Sequence, residues 1–447
     1  TLALTLRPGV ANLDAGTYGV TTQVAYLLDF KPGTAGNIST FVMLSGLSTD
    51  QVRISDTAQT STFLTSTSFY PKYSDKTHQS GVDHLIVQTA NSTLPLPVQR
   101  VYYCSTFPIL EQIVSTFTTF GITGKLEFMD GWGFALDRNT NQIQNSNLNV
   151  ISTWPAGNFI RKQITQDTGM GLAKLRDKIL AFGMETVEVF YNGGLTPAPL
   201  IPIKGMHERI GLAHDIVSGA GTHYYATVAG RIYFAGTYPG IATRIGLVSF
   251  DGSQFNKISP PYIDKILQEA PVNRIYNVQV KGQQAIAMAL TVITATTQRW
   301  MMYFPQWNDW FEWNSNVIGP SLLRNRYLGV MGVSDKLFVI SNDAEIYQDH
   351  GTSYQWLTQF KLPMNGSHKK KMNMYGVEAD TSRSPNNVMD VDFSDDDDQS
   401  WYRAASIDLM EERKIRMRGG SYRHRSVRLS GMTSTEARLH NFNANIG

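Results

Sequence analysis

Cys104 is the only cysteine among 447 residues, so no disulfide can form within the chain and no cysteine cluster is available for structural zinc. Charge is scarce as well. Asp, Glu, Lys and Arg make up 17% of the chain, against ~25% in average soluble proteins, so the surface relies on uncharged polar groups. The 39 basic and 37 acidic side chains nearly cancel, which excludes a globally basic nucleic-acid coat and an acidic tail protein; any electrostatic function is local. Long apolar runs are missing: the longest, Ala285 to Ala295, contains threonines and falls short of the ~20 residues that span a bilayer as a helix. A soluble chain without membrane insertion is expected. No basic-then-apolar leader follows Thr1, and the missing methionine suggests a trimmed start. The Asn-x-Ser/Thr sites at Asn37, Asn91 and Asn365 are at chance level.

Helical periodicity is also sparse, confined to short stretches around Pro108 to Phe120 and Tyr262 to Ala270. Strand signals dominate: KILAFG with TVEVFYNGG, RIYFAG with RIGLVSFDG, QAIAMAL with RWMMYF, and KLFVIS with AEIYQDHG each read as strand, turn, strand. Their openings recur at Leu126, Ile179, Ile232, Ile286 and Leu337, spaced by 53, 53, 54 and 51 residues. That is the size of a propeller blade of four short strands, although any large antiparallel β protein shows turns at quasi-regular spacing. QVAYLLDF near Val24 and HLIVQT near Leu85 open two further units. The expectation is an all-β chain, with a propeller-like body of about six or seven blades over 1–360. The last 87 residues carry 14 basic and 12 acidic groups, a charge density about twice that of the first 360. A separate β-sandwich is therefore expected over 361–447, built from MNMYGVEA, VMDVDF, WYRAASIDL, KIRMR and SVRLSG.

Catalytic signatures are absent: no GxSxG, HExxH or GxxxxGK[ST], and no cysteine with an evident histidine partner. His207, His214 and His223 lie close in sequence but lack a metal-helix period. No catalytic, metal or cofactor residue is nominated. RWMMYFPQWNDWFEW places seven aromatics between Trp300 and Trp313; these fill the wedge between blades or, less simply, form a stacking platform for sugars or bases. The run Asp390 to Asp398 fails the EF-hand register. SDDDDQSW instead resembles an Asp-box turn, S-x-D-x-G-x-[ST]-W, with Ser394, Asp396 and Trp401 in its structural positions and Asp398 where the box has Gly. Immediately after it, RKIRMR-GG-SYRHRSVR carries Arg413, Lys414, Arg416, Arg418, Arg423, Arg425 and Arg428 without an acid, and Gly419-Gly420 reads as a hairpin turn. Two basic strands side by side repel, so a counter-charge is required: the Asp390 to Asp398 run, an acidic face of a neighbouring subunit, or DNA phosphates.

Several segments in collinear order resemble the packaged-DNA stabilization proteins (tail hub or nozzle) of short-tailed phages, the podoviruses: LRPGVANLDAGTYGV, LEFMDGWGFALDR, LAKLRDKILAFGMETVEVFYNGG, GLAHDIVSGAGTHYYATVAGRIYFAG, DKIL and KIRMRGGSYRHRSVRLSGMTS. The Ser/Thr-dense stretch from Ser55 to Ser68 matches poorly. The resemblance implies a non-enzymatic structural protein of the virion tail. It also implies a homohexameric ring below portal and adaptor that retains packaged DNA and lines the genome ejection channel, with a tail adaptor, a tail needle or plug, and a tailspike or fibre as partners. It brings no active-site residues and no cofactor. The competing reading is a propeller-type glycan-binding protein or glycosidase, suggested by the Asp-box-like turn and the tryptophans.

Overall fold

The computed structural model describes residues 4–5, 10–12, 22–30, 39–46, 51–55, 61–65, 70–79, 82–90, 99–106, 109–113, 121–165, 167–213, 225–238, 245–270, 272–280, 282–290, 298–315, 338–340, 348–349, 352–362, 368–379, 388–409, 415–433 and 438–446. The chain divides into two compact units, Asp14–Leu337 and Thr1–Leu13 with Phe338–Gly447. The second unit includes β1 (Leu4–Thr5) and β2 (Val10–Asn12) from the start of the chain.

The larger unit is a series of antiparallel meanders, six among the described residues. Blade 1 is β3 (Thr22–Phe30), β4 (Ser39–Gly46), β5 (Gln51–Ser55) and β6 (Ser61–Thr65). Blade 2 is β7 (Tyr70–Gln79), β8 (Val82–Ala90), β9 (Gln99–Thr106) and β10 (Ile109–Gln112). Blade 3 follows with β11 (Ile122–Met129), β12 (Trp132–Asp137), β13 (Gln142–Asn145) and β14 (Phe159–Arg161). Blade 4 is β15 (Gly169–Leu175), β16 (Lys178–Gly183), β17 (Val187–Asn192) and β18 (Leu200–Glu208). Blade 5 has β19 (Gly211–Leu212) and β20 (Tyr225–Val228) both paired to β21 (Arg231–Thr237), then β22 (Ile245–Phe250) and β23 (Phe255–Lys257). After α1 (Pro261–Glu269), blade 6 is β24 (Val272–Val280), β25 (Gln283–Leu290), β26 (Gln298–Phe304) and β27 (Asp309–Ser315).

These sheets pack because a strand sends successive side chains to opposite faces. In β16, Ile179 and Ala181 join a core shared with Phe134 and Leu136 of blade 3, while Leu180 and Phe182 join one shared with Phe234 and Val248 of blade 5. In β21, Ile232 and Phe234 face blade 4, and Tyr233 and Ala235 face Ile286, Met288 and Tyr303 of blade 6. Ile86 and Val101 of blade 2 pack with Leu126 and Ala135 of blade 3. The sheets of blades 3, 4 and 5 are thus buried on both faces, which explains the continuous apolar runs in their middle strands. Polar groups reinforce the wedges. Lys162, just past β14, places Nζ 2.6 Å from Asp167 Oδ1 and 3.1 Å from Thr186 Oγ1, and Asp167 Oδ2 accepts from the amides of Glu185 and Thr186. Glu188 of β17 accepts from the amides of Gln163 and Ile164. The passage from blade 3 to blade 4 is thereby fastened with its buried charges paired, as burial requires.

Several expectations are corrected at this level. The stretch after Pro108 forms strand β10 rather than a helix, and residues 114–120 lie outside the described residues; the helix expected at Tyr262 is α1, with Pro261 at its first position. Leu126 lies in the first strand of its blade, Ile179 and Ile286 in the second, and Ile232 in β21, the third of blade 5, while Leu337 lies outside the described residues. Among the described residues, KLFVIS and AEIYQDHG do not pair with each other as the expected hairpin. Instead β28 (Phe338–Ile340) and β29 (Gln348–Asp349) flank β2, antiparallel and parallel respectively.

The smaller unit adds β30 (Thr352–Lys361), β31 (Lys370–Ala379), β32 (Val388–Ser394), β33 (Tyr402–Asp408), β34 (Ile415–Tyr422), β35 (Ser426–Thr433) and β36 (Arg438–Ile446). They form sheets of order β1-β36-β31-β34 and β28-β2-β29-β30-β35-β32-β33. Met372, Tyr375, Val377 and Tyr422 of the first sheet share a core with Met389, Val391, Phe393, Val427 and Leu429 of the second, the arrangement of a β-sandwich. A boundary at residue 360 would cut β30, which pairs along its length with β35 from Tyr354 to Lys361; the division instead precedes Phe338.

Replacing Phe234, fully buried between blades 4 and 5, by alanine is expected to cost about 3–5 kcal/mol. Chemical denaturation of the two proteins measures this, and a loss below about 1 kcal/mol contradicts the wedge packing.

Candidate functional site

The basic run of the sandwich separates into unlike parts. Gly419-Gly420 is not a hairpin turn: β34 continues through it, with a register shift against β31 between Met372 and Met374. Arg418 has φ 68° and Gly420 φ 79°, the left-handed conformations of a bulge. A Cβ on Gly419 would stand 2.3 Å from Met372 Sδ, so only glycine permits this approach. After Tyr422 the chain crosses to the other sheet, so β34 and β35 are not neighbours in one sheet. The expected repulsion between two adjacent basic strands is removed by topology.

Arg425, at the crossing, is 3% exposed. Its Nε and Nη2 donate to Asp395 Oδ1 and Oδ2, each at 2.6 Å. Nη2 also donates to Tyr402 Oη at 3.0 Å, and Nη1 donates to the carbonyl of Gly419. The guanidinium lies 4.5 Å from the ring centre of Phe393 and 4.4 Å from that of Tyr422. This fork-to-fork ion pair between aromatic faces is what a guanidinium does better than an ammonium. Arg428 is half-buried and stacks 3.8 Å above the ring centre of Trp401, with Nη2 3.4 Å from Gln359 Oε1. Arg418 and Arg423 are exposed. Arg413 and Lys414 lie outside the described residues, as does the side chain of Arg416.

The aspartate turn supplies Arg425's partner and holds its own shape. Asp396 Oδ1 accepts from Ser394 Oγ at 2.8 Å and from the Ser400 amide at 2.9 Å, and Oδ2 accepts from Ser400 Oγ. Ser394 Oγ accepts from the Asp398 amide at 3.0 Å. Asp397 and Asp398 have φ 54° and 71°, so Asp398 adopts the left-handed conformation for which the box uses glycine. The bonds from Ser400 and Ser394 hold the Asp396 carboxyl at about 2, well below its ordinary value. Beyond the turn, Arg403 bridges Asp390 and Asp392 at 2.7 and 2.5 Å. Sequence reading missed Arg403, opposite Asp392, and also Lys370 and Lys371, which pair with β34, with Lys369 just before them; cross-strand register, the signal that unites them, is not local.

The aromatic run forms the β26–β27 hairpin. Trp300, Tyr303 and Phe304 are buried. Tyr303 packs 4.7 Å from Trp310 and 6.0 Å from Tyr233 of blade 5. Trp307 is 37% exposed and stacks on Phe304. His207 is exposed, while His214 and His223 lie outside the described residues. Among the described residues no group of three His, Cys, Asp or Glu side chains is placed to hold a metal.

The fold defines an all-β protein built on a β-propeller. Residues 99–315 match the family model Phage_stabilise, described as bacteriophage P22 Gp10, beta-propeller. The match spans a little under half of the chain and supports a phage stabilisation protein with a β-propeller fold. No curated protein matches in sequence. Among solved structures, a virginiamycin B lyase from Staphylococcus aureus aligns at 9% identity over 74% of this chain and 97% of its own, with a TM-score of 0.44. The six-bladed Aleuria aurantia lectin aligns at 8% identity over 67% and 96%, with a TM-score of 0.33. At these scores neither lyase nor lectin activity carries over to this chain.

Replacing Arg425 with glutamine leaves Asp395 and the Gly419 carbonyl short of donors and is expected to cost roughly 2–3 kcal/mol. The pair Arg418→Gln and Arg423→Gln should leave the melting temperature unchanged; thermal melting of both variants distinguishes the two kinds of arginine. Because the folded Asp396 pKa lies below the unfolded one, its turn adds stability that is fully present above about pH 4 and is lost as pH falls through about 2. Carboxyl NMR titration of Asp396 checks this, and a midpoint near the ordinary 3.8 contradicts it.

Proposed function

We propose that this chain is a structural subunit of a short-tailed phage tail, a hub or nozzle protein that assembles as a homohexameric ring below portal and adaptor. In this reading it retains the packaged genome and forms part of its ejection channel. Its partners are the adaptor, a tail needle or plug, and a tailspike or fibre. The family match over residues 99–315 carries the proposal. Supporting it is the way the chain spends its conspicuous side chains. The aromatic run packs blade 6 against blade 5, and Asp396 organises its own turn, so both features that suggested glycan chemistry have structural employment. In this reading the protein has no catalytic role and needs no cofactor.

Electron microscopy of purified virions with antibody labelling of this chain tests the proposal directly: label at the tail, in rings of six, is expected. A monomer absent from virions overturns it, and turnover of a glycan that is lost on mutating one carboxylate replaces it with the glycosidase reading.

A further inference from the structure

The four-stranded sheet of the sandwich is unevenly charged. Glu378 is the only acid in its strands β1, β31, β34 and β36. At one end of β31 and β34 the pairing register brings two separate basic segments together. Lys371 lies opposite Ser421, and Met372 opposite Gly420. Met372 is buried whereas Lys371 is exposed, so alternation turns Lys371 outward. One step past the pair Lys370↔Tyr422 come Lys369 and Arg423, both exposed. Arg418, exposed at the bulge, stands on the same strand as Ser421. Cations on neighbouring strands, ~5 Å apart, destabilise the sheet unless an anion lies across them.

Protection of a sheet edge accounts for arginines on β34, the last strand in the order, but not for lysines on β31, which lies between β36 and β34. An acidic protein surface is the poorer fit. Protein interfaces are centred on buried apolar or aromatic anchors, and among the described side chains of β31 and β34 the exposed neighbours of these cations include a single large apolar one, Met374. A group of exposed cations without an apolar centre suits phosphates, which are read for position rather than sequence.

We propose that Lys369, Lys371, Arg418 and Arg423 form a contact for the phosphate backbone of duplex DNA without sequence preference. Arg425 takes no part, since Asp395, Tyr402 and Gly419 occupy its donors. The inference rests on the proposed tail role, which is what brings duplex DNA to the protein.

The test is fluorescence anisotropy of a labelled duplex of arbitrary sequence with the full chain, over a series of salt concentrations. Four phosphate contacts contribute about −3.6 to the slope of log affinity against log salt. The variant carrying Lys369→Gln, Lys371→Gln, Arg418→Gln and Arg423→Gln is expected to lose that part of the slope and roughly a hundredfold or more in affinity at ~0.1 M salt. Its melting temperature should be unchanged or higher. Equal affinity and slope in the two proteins overturns the inference. So does a variant that binds DNA normally but changes its sedimenting mass, which makes the face a protein interface. A chain absent from virions that still binds DNA through these four residues leaves the phosphate contact standing and removes only the tail role.

Discussion

Alternation of side chains across a strand governs the larger unit, because each middle sheet serves two cores at once. Ile179 and Ala181 of β16 lean one way and Leu180 and Phe182 the other, and β21 repeats the device with Ile232 and Phe234 against Tyr233 and Ala235. A slip of one residue exchanges the two sets and misfits both wedges together, so register is fixed from both sides. The same constraint explains why this β protein shows apolar runs where a half-exposed sheet would alternate polar and apolar residues. It also assigns the work of the aromatics: Tyr303 reaches Tyr233 across the wedge between blades 5 and 6, and α1 adds Ile263 and Leu267 to the same core.

In the smaller unit the corresponding constraint is electrostatic. A chain that crosses from β34 to β35 changes sheets, and it does so with Arg425 buried at the crossing. A guanidinium out of water is tolerable only when its donors are used, and here a bidentate carboxylate, a tyrosine oxygen and a backbone carbonyl use them. The aspartate turn therefore has two tasks. Asp395 faces inward to the arginine, while Asp396 turns toward its own serines and amides. Four successive aspartates acquire different roles because the turn points them in different directions.

Strand character and the blade-sized recurrence were legible in the sequence, since each depends on local periodicity or on residues a few positions apart. The collinear resemblance to phage stabilisation proteins was legible for the same reason, and the match over residues 99–315 accords with it. Where local pattern misled, a partner distant in sequence had intervened. KLFVIS and AEIYQDHG look like a hairpin, but β2, from the start of the chain, inserts between them. Gly419-Gly420 looks like a turn, but Met372 on β31 requires a strand passing close by.

Charge shows the division most clearly. Composition and spacing determined that an acidic run and a basic run lie near each other in the sequence and that the basic one needs partners. Only the tertiary structure decided which arginine is buried against Asp395, which one stacks on Trp401, and which exposed ones stand beside Lys369 and Lys371. The physical reason is that an ion pair is set by distance and burial in three dimensions, and both follow from sheet order and register, which residues far apart in the chain determine together.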